Sequence, residues 1–199
     1  MASPPNSSRL SFNVPMWLTW ARIAMIPVIV GIFYLPDSVL PDHWKNATAC
    51  WLFVLAAITD AFDGYIARRY GMTSSLGAFL DPVADKLMVS AALVVLLSLG
   101  RVDEFVALVI IGREITVSAL REWMAQLGKS GSVAVNSLGK IKTIAQMVAI
   151  PMLLFHDPLF GVIDVHLLGT LLIYIAAVLT VYSMLIYLRM AWPHLSDDN

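Results

Sequence analysis

Charge is scarce in this chain. Asp, Glu, Lys and Arg make up 14% of its 199 residues, against 59% hydrophobic. A soluble domain carries about 25% charged and roughly 45–50% apolar residues. Too little polar surface remains to cover a water-soluble globule, and the mean hydropathy of +0.77 agrees. A formal net charge of −1 supplies no basic field to hold nucleic acid, so DNA and RNA are excluded as partners. The single cysteine, Cys50, rules out an intrachain disulfide. Low-complexity tracts and clear internal repeats are also missing. One domain over residues 1–199 is expected, with a polar, proline-rich segment at 1–15.

What the chain has instead is long apolar runs. A spanning helix needs about 20 mainly apolar residues. Such runs occur at 16–36, at 46–59 continuing helically through 60–69, and at 83–100, 104–127, 141–155 and 166–187. The first is longer than a signal-peptide core and no A-x-A cleavage site follows it, so a retained span is expected. The fold class is therefore all-α, a polytopic membrane protein with six transmembrane helices and both termini on one side.

Lys and Arg set the orientation. One side would hold Arg9, Arg22, Arg68, Arg69, Lys86, Arg113, Arg121, Lys129, Lys140, Lys142 and Arg189; the other only Lys45 and Arg101. The first side is expected to be cytoplasmic. Trp17, Trp20, Trp44 and Trp192 are read as interfacial belt aromatics, and the four histidines lie away from the acidic cluster and are assigned no metal.

The most informative stretch is T-D-A-F-D-G-Y-I-A-R-R-Y-G-M-T-S-S-L-G-A-F-L-D-P-V-A-D-K at 59–86. At about 100° per helical residue, Asp60, Asp63, Gly64, Ala67 and Arg68 share one face about 140° wide. Asp81 and Asp85, four apart, share a face of the next helix. Pro82 is expected in the first turn of that helix, with a tight loop before it. Each Asp deep in a bilayer costs roughly 2.5–3.5 kcal/mol, so four together imply an interfacial position or a compensating cation. Carboxylates suit hard cations, and four can bridge two ions for in-line displacement at phosphorus. Small residues beside them admit a bulky group, and Arg68 can pair with phosphate.

The pattern D-x2-D-G-x2-A-R-x8-G-x3-D-x3-D is complete at Asp60, Asp63, Gly64, Ala67, Arg68, Gly77, Asp81 and Asp85. It resembles the signature of the CDP-alcohol phosphotransferase family. The likeness extends through N-V-P-x-x-L-T-x-x-R at 13–22, R-E-I-T-V-S-A-L-R-E-W-M-A-Q-L-G-K at 113–129 and S-V-A-V-N-S-L-G-K-I-K-T-I-A-Q-M at 132–147. These segments are similar to the branch whose acceptor is sn-glycerol 3-phosphate.

The resemblance implies six transmembrane helices in a homodimer, set in the bacterial cytoplasmic (inner) membrane with the active site facing the cytoplasm. It implies transfer of the phosphatidyl group of CDP-diacylglycerol to sn-glycerol 3-phosphate, giving phosphatidylglycerol phosphate and CMP. Asp60, Asp63, Asp81 and Asp85 would hold two Mg²⁺ or Mn²⁺ ions, and Asp85 would also be the general base. Gly64, Ala67, Arg68 and Gly77 would bind or shape the nucleotide site. The acceptor phosphate needs fixed cations, for which Arg113, Arg121, Lys140 and Lys142 are the candidates, with Glu114 and Glu122 as partners. Asn13, Thr19 and Arg22 are candidate headgroup contacts. The aspartate motif does not separate this acceptor from phosphatidylglycerol (giving cardiolipin) or an inositol phosphate. An ion-coupled transporter also places acids in membrane helices, but here they gather at one side and no inverted repeat is visible.

Overall fold

In the computed structural model the described residues are 14–70, 75–128, 137–159 and 161–195; the side chains of 14–16, 63–70, 75, 78, 137–140 and 193–195 lie outside the description. Six helices follow one another: α1 (Val14–Ile32), α2 (Asp42–Tyr70), α3 (Ser75–Ser98), α4 (Glu104–Gln126), α5 (Ser137–Phe155) and α6 (Val165–Leu195). Among the described residues there is no strand, only an isolated bridge between Leu159 and Ile163. Each apolar run of the sequence has its own helix, although the runs 16–36, 83–100 and 104–127 continue a few residues past the ends of α1, α3 and α4. By length and composition, α6 is apolar enough to cross a bilayer over Val165–Trp192, while Trp17–Ile32 and Ile141–Phe155 are shorter apolar helices.

The expectation for Pro82 needs correction. Helix α3 begins at Ser75, so Pro82 lies inside it, and Ser75–Gly77 of the loop expected at 69–77 are helix. Proline suits a first turn, but the apolar and small residues before it extend the helix backwards at the loss of one backbone hydrogen bond.

The helices run alternately up and down. α5 lies along α6; α1 packs on α2 and α3; α2 meets α5, and α4 meets α6. Gly169 permits the α5–α6 approach: a Cβ there would stand 3.0 Å from Leu153 Cγ. The core is apolar and fully sealed at Phe53, Ala56, Leu93, Leu96, Ile110, Ile150 and Leu153. A smaller cluster of Val117, Met124, Tyr187 and Ala191 joins α4 to α6. The outer surface is apolar as well: Trp51, Leu108 and Val178 are each 64–69% exposed, and only 33% of the apolar window of α6 is buried inside the protein. Water would penalise such a surface and lipid would not.

This alternation brings the C-terminal half of α2, the N-terminal part of α3 and the polar stretches of α1, α4, α5 and α6 to one end. The opposite end is tied by Arg101, which follows α3. Its Nη1 donates to the Leu153 and Leu154 carbonyls at 3.2 and 2.9 Å, and its Nη2 to Asn46 Oδ1 at 2.8 Å. These last carbonyls of α5 have no partner of their own within the helix, so one guanidinium ties α5 to the start of α2. Burial pulls the Arg101 guanidinium below its ordinary value.

Candidate active site

A cavity of about 500 Å³ opens among α2, α3, α4, α5 and α6 at the end that collects the polar stretches. Asp60 and Asp85 line it from α2 and α3, with Lys86 beside them. Arg113, Glu114 and Arg121 line it from α4, Thr143 and Gln146 from α5, and Tyr187 from α6. The five helices thus converge two kinds of chemistry on one space: oxygen donors on α2 and α3, and guanidinium groups on α4.

The carboxylates are held from behind by α1. Arg22 is fully buried, and its Nη1 stands 2.6 Å from Asp60 Oδ1 and 2.8 Å from Asp85 Oδ1. Thr19, three residues earlier on the same face of α1, donates to Asp81 Oδ1 at 2.6 Å. Thr19 and Arg22, expected as headgroup contacts, are therefore found buried against the aspartates. Three carboxylates from two helices are each fixed through one oxygen by a third helix. The Asp60 and Asp85 side chains remain 36% and 45% exposed on the cavity side. A guanidinium that would be costly alone in an apolar bundle is neutralised by these acids, and they by it.

The expected cations divide. Arg113 is buried; its Nη1 donates to Glu114 Oε1 at 3.0 Å and its Nη2 to Ser183 Oγ at 3.4 Å. Lys142, 1% exposed, donates to the same Glu114 oxygen from α5, so Glu114 clamps α4 to α5. Lys142 stands behind Glu114 and is not among the residues lining the cavity. Arg121 lines the cavity, and its Nη2 donates to Tyr187 OH at 3.0 Å. Both guanidinium groups lie over the Tyr187 ring, at 5.9 and 5.2 Å from its centroid, a contact worth about 0.5–2 kcal/mol when desolvated. Among the described residues, the buried Nε of Arg113 and of Arg121 have no hydrogen-bond partner. Glu122, expected as a partner, is exposed.

Asp63, Gly64, Ala67 and Arg68 continue α2 one to two turns beyond Asp60, and Gly77 lies in the first turn of α3. The side chains of Asp63, Ala67, Arg68 and Lys140, and Asn13 altogether, lie outside the described residues. Thr143, Gln146 and Tyr187 line the cavity without having been singled out in the sequence. Tyr187 sits in an apolar stretch of α6, and Gln146 is uncharged; its only signal is the i,i+4 spacing from Lys142.

The donor set bears on a metal. Among the described side chains, no group of three or more His, Cys, Asp or Glu forms a ready cage. Arg22 joins Asp60 to Asp85, and Thr19 on the same helix holds Asp81. The three aspartates nonetheless offer oxygen donors alone, which fits Mg²⁺ or Mn²⁺ and not a soft metal.

A helical bundle with aspartates facing arginines across one cavity has the charges to hold a metal-bound, phosphate-bearing substrate, and comparison with known proteins gives the class. The family model for CDP-alcohol phosphatidyltransferase matches residues 12–182, and the chain belongs to that family. It is 46% identical over 192 residues to proteins named CDP-diacylglycerol–glycerol-3-phosphate 3-phosphatidyltransferase from Shigella flexneri serotype 5b, Salmonella choleraesuis and Escherichia coli K12. In each case the match covers 95% of this chain and 100% of the relative.

Proposed function

We propose that the chain transfers the phosphatidyl group of CDP-diacylglycerol to sn-glycerol 3-phosphate, releasing CMP. The observation that carries this is the placement of Asp60 and Asp85 across one cavity from Arg113 and Arg121, in a chain matched over 95% of its length by relatives of that name. The nucleophile is a hydroxyl of the acceptor. Its oxygen forms a bond to the phosphorus that bears diacylglycerol, and the anhydride P–O bond breaks as CMP leaves. The proton goes to Asp85, whose exposed carboxylate borders the cavity.

Two Mg²⁺ or Mn²⁺ ions on Asp60, Asp63, Asp81 and Asp85 would neutralise charge on the pyrophosphate and on the departing CMP. The residues of the chain do the rest. Arg22 and Thr19 orient the carboxylates. Arg113 and Arg121, with Lys142 behind Glu114 and Lys140 on the same helix, provide the positive field that a dianionic phosphate ester requires. Gly64, Ala67 and Arg68 form the face against which the cytidine nucleotide rests, and Gly77 lets the chain turn close to it. The acyl chains stay in lipid against the apolar outer faces of the helices. All six helices cross the inner membrane, as a homodimer, with the termini and the cavity on the cytoplasmic side.

The test is CMP release by the purified protein in detergent. Release is expected only with both CDP-diacylglycerol and sn-glycerol 3-phosphate, and EDTA is expected to abolish it. Equal release with serine, an inositol phosphate or phosphatidylglycerol as acceptor would overturn the choice of substrate.

A further inference from the structure

Gln146 is an anomaly in the cavity wall. It is 4% exposed, and its Oε1 is shielded from water with no hydrogen-bond partner among the described residues. Buried acceptors are normally satisfied, and one that is not calls for an explanation. Gln146 borders the same cavity as Asp85, Arg113 and Arg121. It follows Lys142 by four residues on α5, one helical turn further toward the middle of the bundle.

The chemistry of the acceptor supplies a matching need. sn-Glycerol 3-phosphate has three functional groups. The phosphate takes the arginine side of the cavity, and the reacting hydroxyl takes Asp85. The secondary hydroxyl loses its water on entry and requires a partner of its own. Two other polar groups of the wall are committed, Glu114 to Arg113 and Lys142 and Tyr187 OH to Arg121, while Lys86 and Thr143 complete the polar lining. A primary amide carries both an acceptor and donors, the pair that a hydroxyl uses. The last torsion of a glutamine is soft, so a small turn presents Oε1 to the cavity.

We infer that Gln146 is a specificity-determining residue whose amide receives the secondary hydroxyl of the acceptor. The inference rests on the glycerol phosphate reading above. It explains an orphaned oxygen by the one substrate group that the charged residues leave without a partner.

The experiment compares two acceptors on each protein preparation: sn-glycerol 3-phosphate and 3-hydroxypropyl phosphate, which keeps the phosphate and a primary hydroxyl but lacks the secondary one. The wild-type chain is expected to prefer the glycerol ester by about tenfold or more in kcat/KM. In Gln146→Met, which keeps the volume, the preference falls to within about twofold through loss of activity on glycerol phosphate alone. Gln146→Ala gives the same collapse. Because the readout is a ratio on one preparation, a partly unfolded sample does not change it. An unchanged preference in the two variants, or no preference in the wild type, overturns the inference and leaves the reaction intact. Failure of both acceptors alongside turnover of another alcohol overturns the glycerol phosphate reading itself.

Discussion

The two ends of the bundle use buried cations in opposite ways. At the end without the acidic motif, Arg101 is closed onto the Leu153 and Leu154 carbonyls and the Asn46 amide oxygen, and Lys45 onto Asp37 and Asp42 at 2.5 and 3.0 Å. Those partners are backbone carbonyls of a finished helix, one side-chain amide and acids at the surface, and the contacts complete the fold. At the other end Arg22 is buried more deeply, yet it holds two carboxylates that still open onto a cavity. Arg113 and Arg121 each keep a buried N–H without a partner among the described residues. At the Arg101 end the cations are matched to fixed protein acceptors, although Thr170 Oγ1 there is buried without a partner among the described residues; the other end keeps carboxylates and guanidinium N–H groups turned to a cavity. A cation bonded to a helix terminus stabilises structure, whereas one that fixes half of a carboxylate prepares the other half for a ligand.

The largest effect is expected at the aspartates. Asp81→Asn is expected to lower kcat/KM roughly 10²–10³-fold and to weaken Mn²⁺ binding measured by electron paramagnetic resonance, while circular dichroism stays helical. Full activity in this variant would mean that the open end is no more catalytic than the closed one.

Arg22→Gln comes next. Loss of the shared guanidinium frees Asp60 and Asp85, and Mn²⁺ affinity is expected to fall about 10–100-fold. Arg22→Lys recovers part of the loss, since it keeps the charge without the fork. An unaltered Mn²⁺ titration would reduce Arg22 to a packing role.

Arg101→Met sharpens the contrast from the closed end. Its melting temperature is expected to drop by roughly 4–8 °C as the three acceptors lose their donor, with kcat/KM within about twofold of wild type. A large kinetic loss at unchanged melting temperature would erase the distinction between the ends.

The smallest effect belongs to Asp37. The hydrogen bond from Lys45 holds its carboxyl below the usual carboxylate range, and the hydrogen bonds to Asp37 and Asp42 hold the Lys45 ammonium above its own. The acid's contribution is complete above the unfolded carboxylate value and is lost as pH falls through the lowered folded value. The lysine's is complete below its unfolded value and is lost as pH rises through the raised folded value. Asp37 is 75% exposed, so screening keeps the effect small. Asp37→Asn is expected to lower the melting temperature by no more than about 2 °C between pH 5 and 9.

Much of the site was legible in the sequence because its signals are local. Asp60 and Asp63, and Asp81 and Asp85, are placed by helical periodicity, and a depth cost marks each acid as purposeful. Arg113 and its Glu114 partner were visible for the same reason. What escaped was remote or neutral. The bonds from Thr19 to Asp81 and from Arg22 to Asp85 join residues 62 and 63 positions apart, and no period links them. Gln146 and Tyr187 carry no charge, and apolar neighbours hide them. Pro82 misled because the preference for a first turn is local, whereas the start of α3 is set by the helix-forming residues upstream.

By itself, the sequence determined that the chain is helical and apolar, that it has six helical segments, and that its carboxylates lie in pairs on helix faces. Composition and periodicity are sufficient for that, because each is a property of neighbours along the chain. Only the tertiary structure decided that α1 supplies the buried cation behind the aspartates, that Glu114 joins Arg113 to Lys142, and that Gln146 borders the cavity with an unsatisfied oxygen. Those facts depend on which helices pack together, and packing is fixed by the shape and burial of faces that meet from distant parts of the chain.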